Sequence, residues 1–219
     1  MKIIGIDLSG PSNHKDTVMA ILKENKQLLN LEYLQEGASD EEIFNIIRKE
    51  IEKSPVYIGI DAPLSYQDGG GDRPHDRSLR AYAKSLGMKS GSIMPPTLTR
   101  MVYLTMRGIH LAHMLRTNFG KQVSIVEVHP GVTLASRLPE EKRTIAFNYK
   151  KEKSSRVQVI EWLTSQMLSD SATAIHESST HTIDAVLAGV AAWHTASKQK
   201  TPTWYKEAEP PHHPFPFSC

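Results

Sequence analysis

Two apolar runs that end alike constrain this chain more than any other feature. Ile4-Gly-Ile-Asp7 is matched by Ile58-Gly-Ile-Asp61. Short β-branched runs bounded by turn residues read as buried strands, and a carboxylate at the end of such a strand is costly to bury. The match is not a long-period repeat. It marks two neighbouring central strands, each delivering one carboxylate at its C-terminal end. Paired buried carboxylates repel one another unless a proton or a cation resolves the conflict. Mg²⁺ and Mn²⁺ prefer oxygen ligands and often join protein carboxylates to phosphates, so a divalent cation is one solution. Strand-end aspartates that accept turn N–H groups are the other.

The order along the chain is three strands, a helix, a strand, helices, a strand and terminal helices. Residues 2–8 read as the first strand, 17–23 and 27–34 as a hairpin, and 56–61 and 123–128 as further strands. Ser39 and Glu42 form a capping-box pair ahead of a helix whose apolar positions 43, 44, 47 and 51 share one face. Helices are expected over about 75–86, 98–117, 156–168 and 182–197. The fold class is therefore α/β: three layers, α/β/α, around a mixed five-stranded sheet whose first three strands are antiparallel. A helical insertion separates strands four and five. Residues 1–197 form one domain, and 198–219, rich in Pro and His, form an extended tail.

Charge is informative in its distribution. Residues 1–72 hold 7 basic and 13 acidic residues, and residues 73–126 hold 9 basic residues against Asp76 alone. From Arg77 to Val126 there is no Asp or Glu. A solvated face usually mixes signs, so this segment suits an anionic partner such as a nucleic-acid backbone. Arg73, Arg77, Arg80 and Lys84 fall at helical spacing and, with Ser9, are the expected substrate contacts. Tyr82 and Tyr103 are expected in the core. A lone cysteine, Cys219, excludes an internal disulfide framework. No apolar run reaches membrane-spanning length, and the N-terminal run lacks secretory-signal features, so a cytoplasmic location is expected.

Two more carboxylates are candidates for the acidic site. Asp184 lies one turn after His181, and the His181-x-x-Asp184 spacing puts both on one helical face. Glu127 ends the fifth strand, where it either joins the metal ligands or pairs with an arginine of the basic segment.

The order Gly5-Ile-Asp-Leu-Ser-Gly-Pro11, Ile58-Gly-Ile-Asp-Ala-Pro-Leu64, Val126-Glu-Val-His-Pro130 and His181-Thr-Ile-Asp-Ala-Val-Leu-Ala188 resembles domain of unknown function family 429 (DUF429). That family is described as predicted nucleases with a ribonuclease H-like fold. Arg73-Pro-His-Asp-Arg-Ser-Leu-Arg80 is similar to an arginine-bearing segment of the same family, and the likeness reaches about residue 197. The resemblance implies phosphodiester hydrolysis on two Mg²⁺ or Mn²⁺ ions. It makes Asp7, Asp61 and Asp184 the catalytic carboxylates, with Glu127 and His181 as further metal ligands. Asp7 matches the first-strand acid and Asp61 the fourth-strand acid of ribonuclease H-like nucleases. His181-x-x-Asp184 is similar to the terminal-helix motif of RuvC-type resolvases, whereas Glu127 has no counterpart in the simplest members. Two other readings stand beside this one. A binding module for nucleic acid or phosphate would need no turnover. Gly5-Ile-Asp-Leu-Ser-Gly10 also looks like the first phosphate loop of actin-like ATPases, although 219 residues are few for the two domains they need.

Overall fold

The two Ile-Gly-Ile-Asp runs are adjacent parallel strands in perfect register. In the computed structural model, which describes residues 1–169 and 175–219, β1 (Lys2–Asp7) pairs with β4 (Val56–Asp61), placing Gly5 opposite Gly59 and Asp7 opposite Asp61. On its other side β1 pairs antiparallel with β2 (Val18–Asn25), which pairs antiparallel with β3 (Leu28–Glu36). β5 (Val123–Val128) runs parallel beside β4.

The sheet continues beyond the five expected strands. Its order is β3-β2-β1-β4-β5-β7-β6, with β6 (Tyr205–Lys206) and β7 (Phe217–Ser218) drawn from the C-terminal segment. Five strands is therefore corrected to seven. The physical reason is the β5 edge, which would leave a row of backbone groups unpaired. The segment covers it: Glu127 donates its N–H to the Pro216 carbonyl at 2.9 Å, and Phe215, Phe217 and Cys219 are buried. Short proline-interrupted pieces carry no periodicity, which hides such strands in the sequence.

Helices cover both faces. One core joins Ile4, Ile6, Ile58 and Ile60 to α1 (Asp40–Ile51) and α3 (Val102–Phe119). The other joins Ile3, Ala20, Leu22 and Val126 to α4 (Pro130–Ala135), α5 (Arg143–Asn148), α6 (Lys153–Gln166) and α7 (Thr180–Ala196). α2 (Pro74–Ser85) belongs to a smaller cluster against Phe217 and Cys219. The capping box at Ser39 forms as expected, with Glu42 accepting the Ser39 N–H at 2.8 Å. No helix among the described residues is long and apolar enough to cross a membrane, and Cys219 is a free, buried thiol.

α7 and the sheet meet in a tight junction. A Cβ on Gly5 would fall 1.9 Å from the Ala185 carbonyl oxygen, and one on Gly59 would fall 2.2 Å from that of Ala188. Both glycines are therefore required by close approach of two backbones. That contact seats the first turns of α7 above the ends of β1 and β4.

Candidate metal centre

Three aspartates meet where β1, β4 and α7 converge. Asp7 and Asp61 are side by side because their strands are in register, and Asp184 arrives because glycine lets α7 lie against those strands. One oxygen from each of the three lies within 4.8 Å of the others. Asp7 and Asp184 are buried and Asp61 is partly buried.

Electrostatics register the crowding. Burial pushes Asp7 up to about 6, working against a hydrogen bond from His181 that favours its ionised form. Burial, and then the charge of Asp7, hold Asp61 well above the ordinary carboxylate range. His181 sits 2.7 Å from Asp7 Oδ2 through Nδ1, and this hydrogen bond raises its pKa. Its ring is half-exposed, so it connects the cluster to solvent.

Asp184 carries two partners that no local pattern announces. The Tyr149 hydroxyl donates to its Oδ1, and Lys150 Nζ lies 3.0 Å from its Oδ2. Burial and then the Asp184 charge raise the tyrosine's pKa well above its ordinary value. Burial alone would lower that of Lys150, but Asp184, Asp61 and Asp7 outweigh it and raise it. Nothing in the sequence singles out this stretch. Two consecutive residues just past a six-residue helix have no spacing that would single them out.

Glu127 is elsewhere. Its carboxylate receives Arg73 through two hydrogen bonds, Nη1 to Oε2 at 2.9 Å and Nη2 to Oε1, and accepts the Leu64 N–H at 3.0 Å. Of the two roles open to it, the arginine partner is the one the fold provides. Arg73 is equally committed: Nε and Nη2 reach Asp76 at 2.9 and 2.7 Å, and Nη1 reaches Ser65 Oγ at 2.8 Å. Arg73 is 1% exposed, so it faces the protein interior and not a substrate.

The rest of the expected contact face is dispersed. Arg80 is held by Asp72 through both carboxylate oxygens, and Arg77 donates to the Asp72 carbonyl at 2.7 Å. Lys84 is exposed on α2. Ser9 shapes its own turn, donating Oγ to the Asn13 carbonyl at 2.6 Å. That turn is also gripped by Arg107 of α3, which donates to the Ser9 carbonyl at 2.9 Å, to Thr17 Oγ1 at 2.7 Å and to Asp40 at 2.8 Å. Tyr103 departs from expectation. It is 67% exposed on α3, and its Cβ is 3.9 Å from where a side chain on Gly10 would begin.

The donor set fits a hard divalent cation. Three carboxylates offer only oxygen, the cluster holds no thiolate, and the crowding of negative charge is what a cation relieves. A family model described as "Protein of unknown function (DUF429)" matches residues 5–209, a span that includes all three aspartates, His181, Tyr149 and Lys150. No curated protein matches the chain.

Proposed function

The chain belongs to the DUF429 family, and we propose that it is a metal-dependent nuclease, hydrolysing phosphodiester bonds on the Asp7, Asp61 and Asp184 cluster. The observation that carries this reading is the convergence of those three carboxylates from two strand ends and a helix. The sheet order β3-β2-β1-β4-β5, with acids at the ends of β1 and β4, supports a ribonuclease H-like scaffold. Mg²⁺ or Mn²⁺ would be held by Asp7, Asp61 and Asp184, and when bound would supply Lewis acidity to a phosphoryl oxygen and to the attacking water.

The chain's own residues prepare the site in four ways. Parallel register fixes the backbone of Asp7 beside that of Asp61, so both carboxylates leave the sheet side by side. Tyr149 and Lys150 orient Asp184. His181 holds a proton at Nδ1 against Asp7 Oδ2 and, being half-exposed, can pass it to solvent. Burial of Asp7 and Asp184 strengthens the interactions made at their carboxylates.

The partners already on Asp7 and Asp184 favour one alternative, a module that binds nucleic acid or phosphate without cleaving it. A single experiment separates the two. Purified protein is incubated with labelled single- and double-stranded DNA and RNA in Mg²⁺ or Mn²⁺, beside Asp61→Asn. Cleavage by wild type that needs the ion and falls by at least 10²-fold in the variant supports hydrolysis. Binding without cleavage under all conditions supports the module.

A further inference from the structure

We infer that Lys150 is the resident second cation of the acidic site, so that the cluster takes one divalent ion and not two. This inference rests on the metal-dependent reading. It starts from how the carboxylate oxygens are already used. Asp184 meets a donor on each oxygen, Tyr149 on Oδ1 and Lys150 on Oδ2. Asp7 is engaged on Oδ2 by His181. The Asp61 carboxylate accepts no hydrogen bond among the described residues. The unengaged oxygens therefore gather on Asp7 and Asp61, at the ends of two adjacent parallel strands.

Charge points the same way. Counting the three carboxylates against the Lys150 ammonium leaves two negative charges, which one divalent cation cancels. A second divalent ion would leave two uncompensated positive charges beside the lysine, against one with the lysine removed, in a partly buried space where isolated charge is strongly disfavoured. An exposed lysine pairing with an exposed acid contributes little. Lys150 differs because its partner is buried, with an Asp184 side chain only 3% exposed, and because its charge also acts on Asp61 and Asp7. The residue before it, Tyr149, is 1% exposed and bonded to the same aspartate, so the backbone that carries the lysine is anchored. The Lys150 side chain itself is 57% exposed. It reaches the cluster from outside, and its replacement opens no cavity in the core.

The test counts bound ions, with Mn²⁺ alone as the probe. Full-length wild type, Lys150→Met and Lys150→Arg are titrated with Mn²⁺, free ion is followed by electron paramagnetic resonance, and circular dichroism verifies folding. Wild type and Lys150→Arg are expected to bind one ion per chain, and Lys150→Met two. Two ions on wild type, or one on Lys150→Met, would overturn the role of Lys150 while leaving the metal-dependent reading intact. No ion on folded wild type would remove that reading and this inference together.

Discussion

Two knots of buried charge lie in one molecule and are built on opposite principles. Around Arg73, two carboxylates share one guanidinium, and Ser65 Oγ and the Leu64 N–H fill further hydrogen-bonding positions. Burial works against the charge of Arg73, yet Glu127 and Asp76 hold it firmly protonated. Around Asp7, three carboxylates face one another, with an ammonium reaching in from the surface and an imidazole half in solvent. There burial and mutual repulsion push Asp7 and Asp61 toward protonation. The first knot closes the fold: it ties β5 and the loop after β4 to the start of α2. The second leaves negative charge for something else to neutralise. Buried charge that is paired within the chain belongs to structure, and buried charge left under-neutralised at strand ends marks a site for a ligand.

Substitutions at the two knots should have opposite consequences. The largest effect is expected from Arg73→Met, which leaves Glu127 and Asp76 buried without their cation; urea denaturation should show a loss of about 3–5 kcal/mol. A loss below about 1 kcal/mol would mean that the knot is not structural. Next comes Gly59→Ala, whose Cβ would fall 2.2 Å from the Ala188 carbonyl oxygen. Pushing α7 off the sheet should cost roughly 1–3 kcal/mol and, because Asp184 rides on that helix, weaken Mn²⁺ binding as well. Asp61→Asn should do the reverse in stability. Removing one of the crowded carboxylates should make the metal-free protein more stable by about 1 kcal/mol at pH 7 while abolishing divalent-ion binding. A destabilised variant would place Asp61 with the structural knot.

The pH dependence of the metal-free protein separates the two knots more finely. The folded-state pKa of Asp7 is about 6, above its ordinary 3.8. The folded chain then binds this proton more tightly than the unfolded chain. The resulting stability is present below about pH 3.8 and lost as pH rises through about 6, with a steepest slope of at most about 1.4 kcal/mol per pH unit. Thermal denaturation across that range should show the decline, and Asp7→Asn should flatten it. Saturating Mn²⁺ should offset the loss above pH 6, since the ion competes with the same proton. The smallest effect is expected at Lys84, exposed on α2. Lys84→Ala should change stability by less than about 0.5 kcal/mol, and any effect should be confined to nucleic-acid affinity at low salt.

The sequence spoke clearly where its signals were local. Ile4-Gly-Ile-Asp7 and Ile58-Gly-Ile-Asp61 sufficed to set two acids side by side, and Ser39 with Glu42 marked the start of α1. The same two runs held a further signal in their glycines, which bring α7 and therefore Asp184 into place. That role becomes visible only once the helix is known to cross there. Arg73 misled because its helical spacing with Arg77 and Arg80 suggested a solvent-facing stripe, whereas its partner Glu127 is distant in the chain. Tyr103 misled because aromatic residues are usually buried. Lys150 and Tyr149 were illegible because what makes them matter is a contact with Asp184, not a pattern among their neighbours. β6 and β7 escaped notice since two-residue strands in a proline-rich segment have no period to detect.

The three aspartates left under-neutralised after folding are proposed to hold a divalent cation. Anomalous diffraction from crystals soaked in Mn²⁺ tests this directly. A manganese peak ligated by Asp7 and Asp61 is expected, with Asp184 beside it and none at Glu127. Saturating Mn²⁺ with no peak at the three aspartates, or a peak bound by Glu127 instead, would contradict that proposal.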